Sequence, residues 1–331
     1  MGWPAAPSTA RAKSITDYPG LVSVFAYFGP AGTFTEMALN RLLERGVTGD
    51  DEAVRTVAAD SPAAAVAMVR SGAADYACVP IESSLEGSVP ATMDALVPPP
   101  GEHRVQAYAE VTLDVAFTIA AREALAPDEV RTLAAYPVAS AQVREQVAER
   151  FPNASFVPAS SNAGAAQDVA QGLADAAVTT QIAADLHGLV PLARDVADSP
   201  DAHTRFLLIG RPGPPTARTG ADRTSVILDL TNEPGSLVTA MTEFSSRGVD
   251  LTRIESRPRR LGGSAQYRFF LDAAGHLDDA AVGEALRALH RGAERVVFLG
   301  SWPVDRSGAA GEPTDHAESL RWFAKLEQGD D

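Results

Sequence analysis

Asp198-Ser-Pro-Asp-Ala-His-Thr-Arg-Phe-Leu-Leu-Ile-Gly210 divides this chain of 331 residues into two patterns. A polar loop runs into an apolar strand, Phe206 to Ile209, with Thr204 and Arg205 at its mouth. Upstream, short apolar runs alternate with Ala-rich helical runs. Downstream, Arg211-Pro-Gly-Pro-Pro215 opens a second, self-contained pattern. Upstream strands are expected at Val22 to Phe28, Tyr76 to Ile81, Leu133 to Tyr136 and Ala176 to Val178, most of them followed by a helix. Strands alternating with helices imply crossover units and a mostly parallel sheet.

The upstream pattern carries an internal echo. Ser61, Gly72, Asp75 and Ala77 recur at Ser161, Gly172, Asp175 and Ala177, each 100 residues on. Each unit reads as a Ser-capped helix, a Gly stop, a short turn and a buried strand. The expected architecture is two α/β lobes with a cleft between them. In such sheets ligands bind beyond the carboxyl ends of the strands, where helices present their N-termini. The residues expected at that edge are Gly32, Thr33, Thr35, Ser83, Ser84, Ser88, Ser140, Gln142, Thr179 and Thr180. Thr33 and Glu36 also have capping-box spacing.

Composition narrows the partners. Lys+Arg 28 against Asp+Glu 43 leaves a net charge of -15, which argues against nucleic acid. The lysines are Lys13 and Lys325, so an anion must be held by arginine, hydroxyls or backbone N–H groups. Cys78 stands alone in an apolar run and reads as a core residue. No stretch approaches the roughly 20 apolar residues of a membrane helix, and Met1 to Pro19 has no signal-peptide pattern. A soluble, cytoplasmic protein is expected.

Three motifs resemble those of the prephenate dehydratase family, in the same order and at about the same distances. They are Gly29-Pro-Ala-Gly-Thr-Phe-Thr35, Val79-Pro-Ile-Glu-Ser-Ser-Leu-Glu-Gly-Ser-Val89 and Thr204-Arg-Phe206. The resemblance covers residues 24 to about 210. It implies a two-lobed, periplasmic-binding-protein-like α/β fold with the active site in the cleft, lobes of about 24–103 with 191–210 and of 104–190, and no cofactor. It also implies the reaction: prephenate loses carbon dioxide and its ring hydroxyl, giving phenylpyruvate.

The resemblance makes Thr204 the residue that assists the departing hydroxyl, with Glu82 as the nearest candidate carboxylate. Arg205 is either a carboxylate clamp or an ion pair fixing the loop, the latter favoured. Thr33, Ser83, Ser84, Gly87, Gln142, Thr179 and Phe206 complete the candidate substrate site, Phe206 reading foremost as core. Two positions depart from the family: Ser83 and Ala202-His203 stand where it carries Asn. Retention of Thr204-Arg-Phe206 favours the dehydratase, while Ser83 leaves open a non-aromatising prephenate decarboxylase. A non-catalytic solute sensor is the third reading.

Residues 211–222 read as a surface linker. From 223 to 301 the order is βαββαβ, a ferredoxin-like pattern. With Glu233-Pro-Gly-Ser-Leu237 and Ile254-Glu-Ser-Arg-Pro258 it resembles an ACT regulatory domain. That resemblance implies phenylalanine bound between subunits of a homodimer or homotetramer, at Gly235, Ser236, Leu237, Glu255, Ser256, Arg257 and Pro258. Residues 1–23 form an N-terminal extension and 302–331 a tail. In the tail Gly308 to Pro313 is expected to be loose and Ala317 to Leu326 to pack as a helix.

Overall fold

The computed structural model describes residues 22–47, 53–259, 266–305 and 317–328. Residues 1–21 of the expected N-terminal extension and the Gly308 to Pro313 stretch lie outside them, while Val22 and Ser23 already belong to the first strand. The first sheet has the order β2-β1-β3-β11-β5, with the short β4 paired to β3. Its strands are β1 (Val22–Phe28), β2 (Ala53–Ala59), β3 (Tyr76–Ser83), β4 (Gly87–Ser88), β5 (Gln106–Asp114) and β11 (His203–Gly210). Helices α1 (Phe34–Glu44), α2 (Pro62–Ser71) and α3 (Pro90–Leu96) connect them.

The second sheet has the order β10-β6-β9-β7-β8. It contains β6 (Phe117–Ala121), β7 (Thr132–Ala135), β8 (Ser155–Pro158), β9 (Ala176–Thr179) and β10 (Val190–Val196). Helices α4 (Pro137–Gln142), α5 (Arg144–Arg150), α6 (Asn162–Ala170) and α7 (Gln181–Leu186) belong with it. The chain therefore crosses between lobes twice, after β5 and before β11. This corrects the expected lobes: β5 belongs to the first sheet and β10 to the second.

The echo between the halves is structural. Ser61 caps α2 by accepting from the Ala64 N–H, and Ser161 caps α6 by accepting from Gly164. Gly72 and Gly172 both take the left-handed conformation at the helix end. Asp75 then accepts the Val24 N–H of β1, and Asp175 accepts the Thr132 N–H of β7. In each lobe the strand that receives the helix is parallel to the strand so tied. Cys78 is fully buried, and desolvation pushes its thiol pKa up, so it stays a neutral core group.

The third sheet has the order β13-β14-β12-β15 and is antiparallel throughout. Its strands are β12 (Asp222–Asp229), β13 (Leu251–Arg259), β14 (Gln266–Ala274) and β15 (Arg295–Pro303). Helices α8 (Ser236–Ser245) and α9 (Ala280–Gly292) cover one face. The opposite face is not solvated. Ile227, Phe270, Val297, Leu299 and Trp302 share a core with Val79, Ile81, Leu207 and Ile209 of the first lobe. Every residue of β12 is buried, as expected of a strand covered on both faces.

The expected self-contained domain is thus fused to the first lobe. Gly300, at φ +143°, lies on the backbone of β5, and a Cβ there would collide with the Ala107 carbonyl. The linker is tied at its start and its middle: Tyr108 donates to the Arg211 carbonyl and Thr216 to the Ser301 carbonyl. In the tail, α10 (Ala317–Gln328) forms, but Trp322, Phe323 and Leu326 of it are exposed.

A buried ionic cluster joins the third sheet to β11. Arg205 donates to Asp272 (2.8 Å), Glu82 (2.9 Å) and Glu110 (3.2 Å). Arg253 grips both oxygens of Asp272, and Arg223 lies 3.1 Å from Glu110. Trp302 adds an indole hydrogen bond to Glu110 at 3.0 Å. Burial alone would raise the Asp272 carboxyl pKa, but Arg253 and Arg205 hold it far below the carboxylate range. Burial likewise works to lower Arg205, and the carboxylates around it, Asp272 first, outweigh burial and push it up.

Removing one partner of such a cluster strands a buried charge. Asp272→Asn should therefore lower stability by about 3–5 kcal/mol, read from denaturant unfolding at neutral pH. Asp272 is depressed in the folded state, so its contribution is complete above about pH 4 and fades as the pH falls below that. The acid-induced loss of stability should accordingly be shallower in Asp272→Asn than in the parent chain.

Candidate active site

Strand β11 lies between β3 and β5, with Thr204 opposite Ser83 on one side and Leu113 on the other. It runs antiparallel to β3, while β3 is parallel to β1. The start of β11 thus meets the carboxyl ends of β1 and β3, beside the Gly29–Gly32 loop and the Ser83–Gly87 turn. Thr204 is partly exposed there, and its hydroxyl has no hydrogen-bond partner among the described residues.

A register shift between Arg205 and Phe206 decides which side chains meet. Phe206 pairs with Pro80 and Arg205 with Glu82, so Ile81 is the extra residue of a β-bulge. A bulge resets the alternation of side chains between the two faces. It puts Ser83 on the face of Thr204 and puts Glu82 with Arg205 on the other. This corrects the expected Thr204–Glu82 partnership: Glu82 is bound to Arg205 with the sheet between it and Thr204. Arg205 is the ion pair rather than the clamp, and Phe206 is core, packed with Phe25, Leu39 and Val111.

The serines form a turn instead of capping a helix. Ser83 accepts from the Leu85 and Glu86 N–H groups. Gly87 pairs back with Ser83, at φ +77°. Ser84 accepts from the His203 N–H and returns its own N–H to the His203 carbonyl, pinning the loop before Thr204 to this turn. Ala202 is buried, with its carbonyl accepting from Val115. Ser88 points elsewhere, donating to Glu255.

Thr33 caps α1 through the Glu36 N–H and donates to the Phe28 carbonyl. Glu36 reaches back one residue further than expected, to the Gly32 N–H at 2.6 Å. Burial, and then Glu36 beside it, raises the Tyr27 hydroxyl to about 12, so it remains a neutral donor. Thr35 is buried within α1.

From the second lobe, Thr180 caps α7 through the Ala183 N–H and donates across to the Gly32 carbonyl. The lobes touch closely here. Gly32 has φ +86°, and a Cβ on it would sit 2.7 Å from that of Ala183. Thr179 is fully buried and donates to the Asn162 carbonyl, which occupies its hydroxyl in structure. Ser140 donates to the Pro137 carbonyl within α4. The Gln142 side chain has no partner among the described residues, while its carbonyl accepts from Asp198. Asp198 in turn caps α5 through the Glu145 and Gln146 N–H groups, both at 3.0 Å.

The second pair of motifs is split by the edge strand β13. Ile254, Ser256 and Pro258 face outward, whereas Arg253, Glu255 and Arg257 turn toward the first lobe. Gly235 and Ser236 line a separate recess of about 250 Å³ between the start of α8 and the end of α9, and Leu237 is partly exposed beside it. Among the described residues no three His, Cys, Asp or Glu side chains are grouped to hold a metal ion. No helix among them is long and apolar enough to cross a membrane.

Sequence reasoning missed Glu110, Asp272, Arg223 and Arg253. For Glu110 and Asp272 the signal is a carboxylate inside a mostly apolar run, Ala107 to Leu113 and Phe269 to Ala274. If Thr180 fastens the lobes, Thr180→Val loses a helix cap and leaves the Gly32 carbonyl unpaired. Thermal unfolding should show about 1–3 kcal/mol of lost stability, largely restored in Thr180→Ser.

The comparisons agree with this geometry. The prephenate dehydratase family matches residues 25–214, and the ACT domain matches 224–291. A prephenate dehydratase of Mycolicibacterium vanbaalenii is 56% identical over 313 residues, covering 92% of this chain and 98% of its own. A solved prephenate dehydratase of Arthrobacter aurescens, in complex with L-Phe, is 35% identical with TM-score 0.80. The match covers 92% of this chain and 99% of that one. A protein described as a novel type of quorum quenching acylase is 28% identical with TM-score 0.71, covering 85% of this chain and 98% of its own. The two lobes, the threonine strand at their junction and the fused third sheet are those of an enzyme, and the chain belongs to the prephenate dehydratase family.

Proposed function

We propose that the chain converts prephenate to phenylpyruvate for phenylalanine synthesis, as a homodimer or homotetramer inhibited by phenylalanine. The observation that carries the catalytic reading is the Thr204 hydroxyl at the carboxyl edge, without a hydrogen-bond partner among the described residues and flanked by the Ser83 turn. In the reaction the bond to the ring carboxylate breaks and releases carbon dioxide. Its electron pair aromatises the ring and expels the hydroxyl, which needs one proton to leave as water. Thr204 donates a hydrogen bond to that departing oxygen, and solvent water supplies the proton. With Glu82 bound to Arg205 on the other face, positioning and preorganised dipoles carry much of the rate.

The dianion is held without lysine. The N–H groups at the turns and helix starts, and the Gln142 amide of the opposite lobe, supply the donors. Ser83 closes its turn as an Asn side chain would, which weakens the ground for the non-aromatising decarboxylase. Phenylalanine is assigned to the ACT motifs at Gly235 to Leu237 and Glu255 to Pro258. The support is the exposed edge strand, the family match and the relative crystallised with L-Phe.

Incubation with prephenate and identification of the product tests the reading. Phenylpyruvate is expected; a dihydroaromatic keto acid would replace the dehydratase by the decarboxylase, and unchanged prephenate would remove both. Thr204→Ala should lower kcat and kcat/KM together by roughly 10²–10⁴-fold, the range for well-placed proton or hydrogen-bond assistance.

A further inference from the structure

The two motif sets meet in this chain. Ser88, the residue after Gly87, donates to Glu255 at 3.1 Å. Arg257 grips Asp94 at the middle of α3 through both oxygens, at 2.8 and 2.9 Å. Between them Arg253 lies 3.6 Å from the Met93 sulfur. The route to the threonine is short, because Ser88 pairs with Glu82, Gly87 with Ser83, and Ser83 with Thr204.

Phenylalanine carries one ammonium and one carboxylate. Glu255 suits the first and Arg257 the second, and both are engaged here by Ser88 and Asp94. We propose that phenylalanine and the β4–α3 segment compete for Glu255 and Arg257, so that these contacts latch the Ser83 turn only while the effector is absent. The proposal rests on the phenylalanine reading above and adds the means by which the effector reaches the catalytic turn.

The energetics allow an exchange. The Asp94 side chain is 61% exposed and that of Arg257 23%, in contrast to Asp272 and Arg205 at 2% and 8%. Exposed pairs are weak and reversible, whereas the buried cluster is a permanent joint. A ligand needs different affinities for two arrangements to shift them, and giving up a latch supplies that difference.

The test uses the full chain with Asp94→Asn, Asp94→Glu and Ser88→Ala, binding L-phenylalanine in a calorimeter and turning over prephenate. Asp94 is exposed, so folding is not at stake. Asp94→Asn should bind phenylalanine roughly two- to fivefold more tightly, the weight of one exposed pair. Without effector its turnover should fall toward the inhibited rate of the parent. Ser88→Ala should move both readings in the same direction, and Asp94→Glu should stay near the parent. Binding by Asp94→Asn at the parent's affinity or weaker overturns the latch while leaving the effector reading in place. A parent chain that binds no phenylalanine overturns both.

Discussion

A single guanidinium, that of Arg205, is shared among carboxylates from three strands in two sheets. Water cannot solvate it there, so its charge is balanced by Glu82, Glu110 and Asp272 alone. Each carboxylate comes from a different place in the sequence, and each must be in register for the cluster to close. The geometry of β11 is therefore fixed from behind by the third sheet. Thr204 lies on the opposite face of the same strand. One strand thus serves two tasks, with the bulge at Ile81 keeping them on opposite faces.

This arrangement explains why the third sheet lacks a solvated face. A ferredoxin-like unit standing alone would expose Ile227, Phe270 and Val297, whereas here they join the core of the first lobe. The contact is tight enough that Gly300 lies against the β5 backbone without room for a side chain. Strand β13, which carries Ile254 to Pro258, stays at the outer edge. The same sheet is therefore covered on both faces, by its own helices and by the first lobe, joined to β11 within the chain, and open along one border.

Much of the fold is legible in the sequence because local rules act alone there. Ser61 and Ser161 cap their helices and Gly72 and Gly172 stop them, each within a short window, while Asp75 and Asp175 recur in register but reach back to β1 and β7. The β5 assignment failed for a non-local reason, since only pairing with β11 decides which lobe receives it. The Thr204–Glu82 partnership failed because a strand read in strict alternation does not reveal a bulge. Thr33, Thr179 and Thr180 read in the sequence as ligand-facing hydroxyls, whereas each donates to a backbone carbonyl, of Phe28, Asn162 and Gly32. The buried cluster was illegible because its members are scattered from Glu82 to Asp272.

The loop before Thr204 has one end in each lobe. Asp198 holds the start of α5, and a few residues later Ser84 and Ala202 fasten the chain to the first sheet. Any change in the spacing of the two lobes must therefore pull on this strap, and the strap ends at the strand that carries Thr204. The separation of the lobes and the placement of that hydroxyl are mechanically coupled.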